Sequence, residues 1–221
     1  MDQYRTMPPN VALAHLRGGL PDPQPYTCNN GYLPAGSYVT EFTCKFKVPP
    51  TPKVVDHQTV FVWPALFPSY LLQPVLGFQP DGGWFLWTYV IDTLTGDHHT
   101  EKKFGFAPGD EVSSYITLVE REPKKYTYVL GFDGHEETKL LADVQEPSTD
   151  ITLCIEGWKV GETSPDKVDK LPPEDYWTVS DIKVVSSKGI PDSLDWVRPY
   201  PGSKIIDTSA QHGCVATPYR V

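Results

Sequence analysis

The sequence lacks features that mark several common classes of protein. No apolar run in its 221 residues approaches the roughly 20 residues that a membrane-spanning helix needs. Positive charge is scarce, with 19 Lys and Arg residues against 28 Asp and Glu residues, so the net charge of −9 disfavours electrostatic binding of nucleic acid. The four cysteines show no C-x-x-C spacing, which argues against a zinc site.

Common catalytic and nucleotide-binding motifs are missing as well. The chain has no G-x-S-x-G, no P-loop, no G-x-G-x-x-G and no H-E-x-x-H. His98 and His99 are adjacent at a predicted hairpin tip. Neighbouring strand residues point to opposite faces, so this pair is a poor metal chelate. We therefore predict no metal site and interpret the two histidines as part of a solvated loop.

Turn-forming residues, by contrast, are abundant. The 23 prolines and 17 glycines favour many short strands over long helices. The segment SYVTEFTCKFKV alternates apolar and polar residues, which is typical of a half-buried strand. Strands at intervals of about 8–12 residues, without helical crossovers, indicate an all-β antiparallel sandwich or barrel. Further strands are predicted at residues 58–63, 70–79, 84–92, 102–106, 111–120, 126–132, 138–144, 151–160 and 180–185.

The strand pattern divides the chain into three parts. Residues 1–36 are predicted to form an irregular N-terminal extension packed on the body, since PPN, GGLPDPQP and LPAG interrupt them. Residues 37–185 form the strand-rich body. Residues 186–221 are predicted to be a C-terminal tail that a disulfide ties to the body.

The cysteines bear on the cellular compartment. An even number at wide spacing fits two disulfides in an oxidising environment, although four buried thiols would also fit. The simplest pairing is Cys28–Cys44 and Cys154–Cys214, one of three possible connectivities. The opening MDQYRTMPPN has no signal-peptide character. We therefore expect a secreted or secretory-lumen protein in a processed form.

Gln73 is a polar residue in an apolar hairpin. The stretch SYLLQPVLGFQPDGGWFLWTYVID indicates two strands joined by a Pro-Asp-Gly-Gly turn. A buried amide needs hydrogen-bond partners. If Gly77 lies opposite Phe85, then Gln73 lies opposite Tyr89, and aromatic side chains lie over a glycine that leaves room for a flat ligand. A register shifted by one residue is the less favoured alternative.

Glu156 is the second candidate. In DITLCIEGWKV, Cys154, Glu156 and Trp158 share one strand face, and the other face is apolar. Partial burial would raise the pKa of Glu156 and suit it to general acid catalysis. The alternative is that this face is open to solvent and that Trp158 is an isolated exposed aromatic.

The order of several motifs resembles the glutamic peptidases of the eqolisin type. The matching segments are YVTEFTCKFKVP, VFVWPALF, LLQPVLGF, WFLWTYVID, FAPGDEVSSYI and LCIEGW, within about residues 37–160. The resemblance implies that the body is an antiparallel two-sheet β-sandwich of the jelly-roll, concanavalin A-like kind. It also implies that Gln73 and Glu156 form a catalytic pair, with Glu156 as acid and base on a water molecule.

In overall character the chain also looks like the fungal hetero-Diels–Alderases of tropolonic sesquiterpenoid biosynthesis. That resemblance implies a cofactor-free lyase and cyclase of natural-product biosynthesis that dehydrates a hydroxymethyl tropolone-type precursor and adds the quinone methide to a terpene alkene. Glu156 would donate the proton and Gln73 would bind the tropolone oxygens. Trp63, Trp87, Tyr89 and Trp158 would enclose the apolar, aromatic substrate.

Three functions therefore stay open at this point. The cyclase is the leading hypothesis, and a glutamic endopeptidase is the alternative. A carbohydrate-binding, lectin-like module is the third, since sandwiches with exposed Trp and Tyr residues often bind sugars. The expected partner is a small molecule, with no nucleic acid, no membrane span and no metal or organic cofactor.

Overall fold

The computed structural model describes residues 26–66, 71–91, 97–158, 169–173, 178–197, 204–208 and 211–215. At residues 26–29, 155–158, 178, 197, 204–208 and 211–215 only the backbone is described. This part of the chain contains no helix that is long and apolar enough to cross a membrane.

The described chain forms an all-β sandwich of two antiparallel sheets, as predicted. The strands are β1 (Tyr26–Tyr32), β2 (Val39–Lys47), β3 (Thr59–Leu66), β4 (Leu71–Gln79), β5 (Gly83–Ile91), β6 (His98–His99), β7 (Lys103–Phe106), β8 (Glu111–Glu122), β9 (Lys125–Phe132), β10 (His135–Val144), β11 (Asp150–Trp158), β12 (Thr178–Ser186), β13 (Asp195–Val197), β14 (Lys204–Thr208) and β15 (Gln211–Val215).

Neighbouring strands in each sheet are often far apart in sequence. The first sheet has the order β13-β1-β11-β3-β4-β5-β6, with β7 also paired to β5. The second sheet has the order β10-β9-β8-β2-β12-β15-β14. The consecutive strands β3, β4 and β5 form a meander in the middle of the first sheet, and this meander carries the candidate site.

The core lies between the two sheets. It includes Phe42 and Phe46 from β2, Trp84 from β5, and Tyr128 and Phe132 from β9, all nearly fully buried. These residues alternate with polar ones along β2, as the sequence predicts. The Tyr128 hydroxyl donates to the backbone oxygen of Val39 at 2.9 Å, so its polar atom is satisfied within the core.

β4 departs from this alternation. Eight of its nine residues are buried, so both of its faces are covered. Strands buried on both faces have near-continuous apolar sequences, and LLQPVLGFQ is such a sequence apart from Gln73. The buried amide inferred from the sequence is therefore confirmed.

The strand bounds agree with the sequence pattern in the body and differ near both ends. Each strand predicted between residues 58 and 185 is present, with bounds shifted by a few residues. Residues 26–32, which the prediction placed in an irregular extension, form β1 between β11 and β13. Residues 195–197, 204–208 and 211–215, predicted to be a tail, form strands of the two sheets. His98 and His99 form the short strand β6 instead of a loop.

One predicted disulfide is wrong. Cys44 is a buried thiol in the core, and its sulfur lies 3.3 Å from the Ser114 hydroxyl oxygen, so it does not pair with Cys28. Cys154 is assigned to a disulfide, whose partner lies outside the described side chains. In the backbone register Cys28 is directly opposite Cys154. The pairing of Cys154 with Cys214, and the disulfide tie to the C-terminal segment, stay predictions.

Candidate functional site

The candidate site lies on the outer face of the first sheet, the face turned away from the second sheet. Side chains alternate along β3, β4 and β5, so every second residue points outward. Most of the outward residues form a buried cluster separate from the core, and Phe61 and Trp87 are half-buried against it. We call this surface the outer aromatic face; it consists of Phe61, Trp63, Ala65, Leu71, Gln73, Val75, Trp87, Tyr89, Ile91 and Cys154.

The β4–β5 register is the one favoured from the sequence. Gly77 lies opposite Phe85, and Gln73 lies opposite Tyr89. The space over Gly77 is occupied, however, because a Cβ atom there would lie 2.3 Å from Cζ of Phe85. The expected cavity for a flat ligand over this glycine is therefore wrong, since the Phe85 ring fills it.

Gln73 is buried with its carbonyl oxygen unsatisfied. The residue is only 7% exposed, and its Oε1 atom has no hydrogen-bond partner in the described part of the chain. A buried polar atom without a partner costs about 1–3 kcal/mol. Such atoms in native proteins call for an explanation, and a role in binding a ligand is one.

Three of the predicted aromatic residues lie close to Gln73 on the same face. The Trp87 and Tyr89 rings are 4.6 Å apart, and Trp63 is buried in the same cluster. The Trp87 indole donates to the backbone oxygen of Thr100 at 2.8 Å, which fixes its ring. Tyr89 donates a hydrogen bond to Oδ2 of Asp97, and the His99 ring stacks on the Tyr89 ring. The structure therefore brings Gln73 together with Trp63, Trp87 and Tyr89.

Gln73 belongs to a row of polar residues that crosses the sheet. Asn30 pairs with Thr152, and Thr152 pairs with Ala65. The β3–β4 register, with Leu66 opposite Leu72, brings Ala65 opposite Gln73, which pairs in turn with Tyr89. The Thr152 hydroxyl donates to Oδ1 of Asn30 at 2.8 Å. We call Asn30, Thr152, Gln73 and Tyr89 the polar row.

Glu156 lies in a different row. Its backbone pairs with that of Phe61, and Phe61 pairs with Gly77, four residues along β4 from Gln73. At about 3.3 Å per residue and about 4.8 Å per strand, the two Cα positions are separated by roughly 13 Å along the strands and 10 Å across them. The side chains of Glu156 and Trp158 lie outside the described ones, so their roles stay predictions.

A lysine borders the aromatic residues at the edge of this face. Nζ of Lys102 lies 4.6 Å from the centre of the Phe85 ring and 5.4 Å from that of Trp87. It donates to Oε1 of Gln79 at 2.9 Å. Partial burial lowers the pKa of Lys102, since desolvation disfavours the charged form. No group of three His, Cys, Asp or Glu residues that could hold a metal ion occurs among the described residues.

The sequence interpretation missed three residues of this site, Asn30, Thr152 and Asp97. Thr152 had a usable signal, because it is two residues before Cys154 and therefore shares its strand face. Asn30 had none, since its strand was not predicted. Asp97 directly precedes the two histidines interpreted as a solvated loop, and the sequence carries no signal for its contact with Tyr89.

Comparison with known proteins identifies the fold and goes no further. No family model matches the chain, and no curated protein matches it in sequence. The chain is similar to two crystal structures of scytalido-glutamic peptidase, each solved with a transition-state analogue. The sequence identity is 13% in both cases, and the TM-scores are 0.53 and 0.54. The matched region covers 86% of this chain and 98% of the peptidase chain. SCP-B, an eqolisin peptidase solved with the tripeptide Ala-Ile-His, gives 14% identity and a TM-score of 0.51 at the same coverage. The chain therefore has a fold similar to that of these peptidases, as its motif order predicts.

Proposed function

We propose that the protein is an enzyme that binds a small, flat, largely apolar organic molecule on the outer aromatic face. The observation that carries this proposal is the unsatisfied carbonyl oxygen of Gln73 among buried apolar residues. Sites for small molecules combine an apolar surface with a few placed polar groups, and this face has that composition. A ligand hydroxyl would supply the hydrogen bond that Gln73 lacks.

The reaction we propose is a cofactor-free dehydration followed by a [4+2] cycloaddition. A hydroxymethyl tropolone-type precursor would lose water to give a quinone methide, which would then add to a terpene alkene. Gln73 would hold a ring hydroxyl, while Trp63, Trp87 and Tyr89 would orient the two apolar reactants by contact with their faces. We also propose a secretory compartment for the protein.

Glu156 would be the proton donor to the departing hydroxide. Its backbone position is too far from that of Gln73 for the two side chains to bond directly, as the register distances given above indicate. A substrate would have to bridge them. Its hydroxymethyl group would point from Gln73 toward β11, where Glu156 lies, while its ring oxygens stay at Gln73.

The test measures cycloadduct formation from the precursor and the alkene by chiral chromatography with mass detection. We expect the protein to accelerate the reaction and to give one enantiomer in excess. The variant Gln73→Leu should lower turnover by about 10²-fold, the usual scale for a positioned polar group. Gln145→Leu, at an exposed glutamine after β10, is the matched control and should leave the rate unchanged. A rate equal to that in buffer would refute the proposal.

Glutamic peptidase activity is the second candidate. The similarity in fold to scytalido-glutamic peptidase, together with a Gln within the LLQ strand, favours it. The composition of the outer aromatic face weighs against it, because peptide recognition uses polar groups that bond to the substrate backbone. Incubation with a denatured protein from strongly acidic to neutral pH decides the matter: cleavage that Glu156→Gln abolishes would replace the cyclase proposal with the peptidase.

A further inference from the structure

The two ends of β4 present different hydrogen-bonding groups on the outer face. Every second residue of β4 points outward, so Gln79 lies on the same face as Gln73, six residues along the strand. That separation is about 20 Å at about 3.3 Å per residue. The Gln73 end, with the polar row, is buried, whereas Gln79 is half-buried and borders Lys102. The Gln79 end is therefore a separate place on this face.

Lys102 and Gln79 form a pair of hydrogen-bond donors. Nζ of Lys102 donates to Oε1 of Gln79 at 2.9 Å. This bond uses one of the three ammonium protons and fixes the amide group, whose Nε2 atom carries two further protons. Gln79 makes no other side-chain hydrogen bond within the described part of the chain. The ammonium and the amide nitrogen can therefore donate together to the two oxygens of one carboxylate.

Lys102 also lacks the carboxylate partner that lysines elsewhere on the surface have. Its neighbour Lys103 lies 3.2 Å from Glu137, and Lys45 lies 2.7 Å from Asp181. Among the described residues, no carboxylate lies within ion-pair distance of Lys102. Its pKa is lowered because partial burial disfavours the charged form. A partly desolvated cation without a counter-ion favours a ligand that brings the negative charge.

Aromatic rings surround this ammonium. The Phe85 ring beneath Lys102 is fully buried, and the rings of Phe61 and Phe104 lie 6.4 and 5.2 Å from it. Phe61 and Trp87 are half-buried, and Phe104 is 37% exposed. The Phe61 and Trp87 rings are 6.4 Å apart and inclined by only 32°. They therefore offer nearly parallel apolar surface beside the positive charge, on which a planar ligand can pack.

We propose that Lys102 and Gln79 bind the carboxylate of a planar aromatic acid whose ring packs on Phe61 and Trp87. The inference goes beyond the proposed reaction, because it adds a second class of ligand to the same face. It does not depend on what binds at Gln73. Since the site joins two donors to an apolar surface, it should distinguish an aromatic acid both from an aromatic alcohol and from an aliphatic acid.

The test uses 2-naphthoate as the probe, with 2-naphthalenemethanol as its neutral analogue and acetate as its non-aromatic analogue. Binding at neutral pH is followed by NMR through the tryptophan indole N–H signals, with the Trp87 signal assigned by Trp87→Phe. We expect naphthoate to bind at least about tenfold more tightly than either analogue and to shift the Trp87 signal most. At a net charge of −9 the protein as a whole repels anions, so this binding reports a local site.

Variants of the two donors locate the site. Lys102→Met should lower the affinity for naphthoate by about tenfold, because a hydrogen bond to a charged group is lost, and should leave the affinity for naphthalenemethanol unchanged. Lys102→Arg keeps the charge and should retain most of the binding. Gln79→Leu removes one neutral donor and should cost about threefold. The matched control is Lys103→Met, which removes the same charge one residue away and should bind like the native protein.

Four results would each overturn the inference. They are no binding of naphthoate, equal binding of the alcohol, equal binding of acetate, and equal losses in Lys102→Met and Lys103→Met. The last would mean that naphthoate responds only to general positive charge. All four concern the Lys102 end of the face, so they leave the proposed function untouched. A failure of the cycloaddition test likewise leaves this site standing.

Discussion

The outer faces of the two sheets are built in opposite ways. On the first sheet the outward residues of β3, β4 and β5 are buried or half-buried, mostly apolar or aromatic, and include an amide oxygen without a partner among the described residues. On the second sheet the outward residues of β2, β9, β10 and β12 form exposed ion pairs such as Lys45–Asp181 at 2.7 Å and Lys183–Glu41 at 2.8 Å. An antiparallel sheet normally keeps one face in water, as the second sheet does. The first sheet departs from that rule where the candidate site lies.

The largest expected difference between the two outer faces is the loss of stability that a new carboxylate causes on each. Val75 on the outer aromatic face is 1% exposed, and Val119 on the second sheet is 55% exposed. We expect Val75→Asp to lower the free energy of unfolding by about 4 kcal/mol or more, since it buries an unpaired carboxylate. Val119→Asp should change it by less than about 0.5 kcal/mol. Urea denaturation of both variants makes the measurement, and equal effects would show that the first face is open to water.

Replacing a buried glutamine whose amide is hydrogen-bonded should give the next largest loss of stability. Gln58 precedes β3 and is fully buried. Its Oε1 accepts from the Asp56 N–H at 2.7 Å, and its Nε2 donates to the backbone oxygen of Val54 at 2.5 Å. Gln58→Leu would leave both backbone groups without these bonds, at a cost of about 2–3 kcal/mol. The shift in the denaturation midpoint measures this cost, and a neutral result would mean that water takes over the lost bonds.

The same substitution at Gln73 should change the free energy of unfolding in the opposite direction. Gln73→Leu removes a buried carbonyl oxygen that has no partner among the described residues. We therefore expect the free energy of unfolding to rise by about 1 kcal/mol. The gain would accompany the loss of activity proposed above, as at sites where function is kept at the expense of stability. A destabilisation as large as that of Gln58→Leu would show instead that the Gln73 amide is bonded in the folded protein.

The alternation of apolar and polar residues was enough to predict the strands of the body. SYVTEFTCKFKV predicted β2 because a half-buried strand has a period of two, and PDGG predicted the β4–β5 turn. The register of that hairpin also followed from the sequence, since Gly77 and Phe85 fit together when they are opposite.

The parts that could not be predicted depend on partners distant in sequence. β1 contains the residues YTCNNGY, whose Asn and Gly disfavour strands locally. It forms a strand because β11 and β13 flank it, more than 100 residues later. The Asn30–Thr152 bond is tertiary for the same reason, whereas the Tyr89–Asp97 bond joins residues that are only eight positions apart. The sequence could identify Gln73 as unusual, but it could not show which side chains accompany it.

The smallest predicted effect tests the solvated character of the second sheet. Asp143 on β10 accepts from the Thr127 hydroxyl at 2.7 Å, and Nζ of Lys125 lies 3.2 Å from its other oxygen. The Thr127 hydrogen bond, followed by the Lys125 contacts, lowers the pKa of the Asp143 carboxyl in the folded protein. Since the folded pKa lies below the unfolded one, this carboxylate stabilises the fold above its unfolded pKa, and the contribution is lost as the pH falls through the folded pKa.

The loss should be small because the pair is exposed and solvent screens it. Comparing the urea midpoints of native protein and Asp143→Asn at neutral and acidic pH isolates the contribution, because the asparagine cannot titrate. The two curves should converge as the pH falls, and 1 M salt should shrink their gap at neutral pH. A gap that exceeds the effect of Gln58→Leu would mean that the ion pair is effectively buried. The second sheet would then have a covered outer face like the first, and the contrast between the two sheets would disappear.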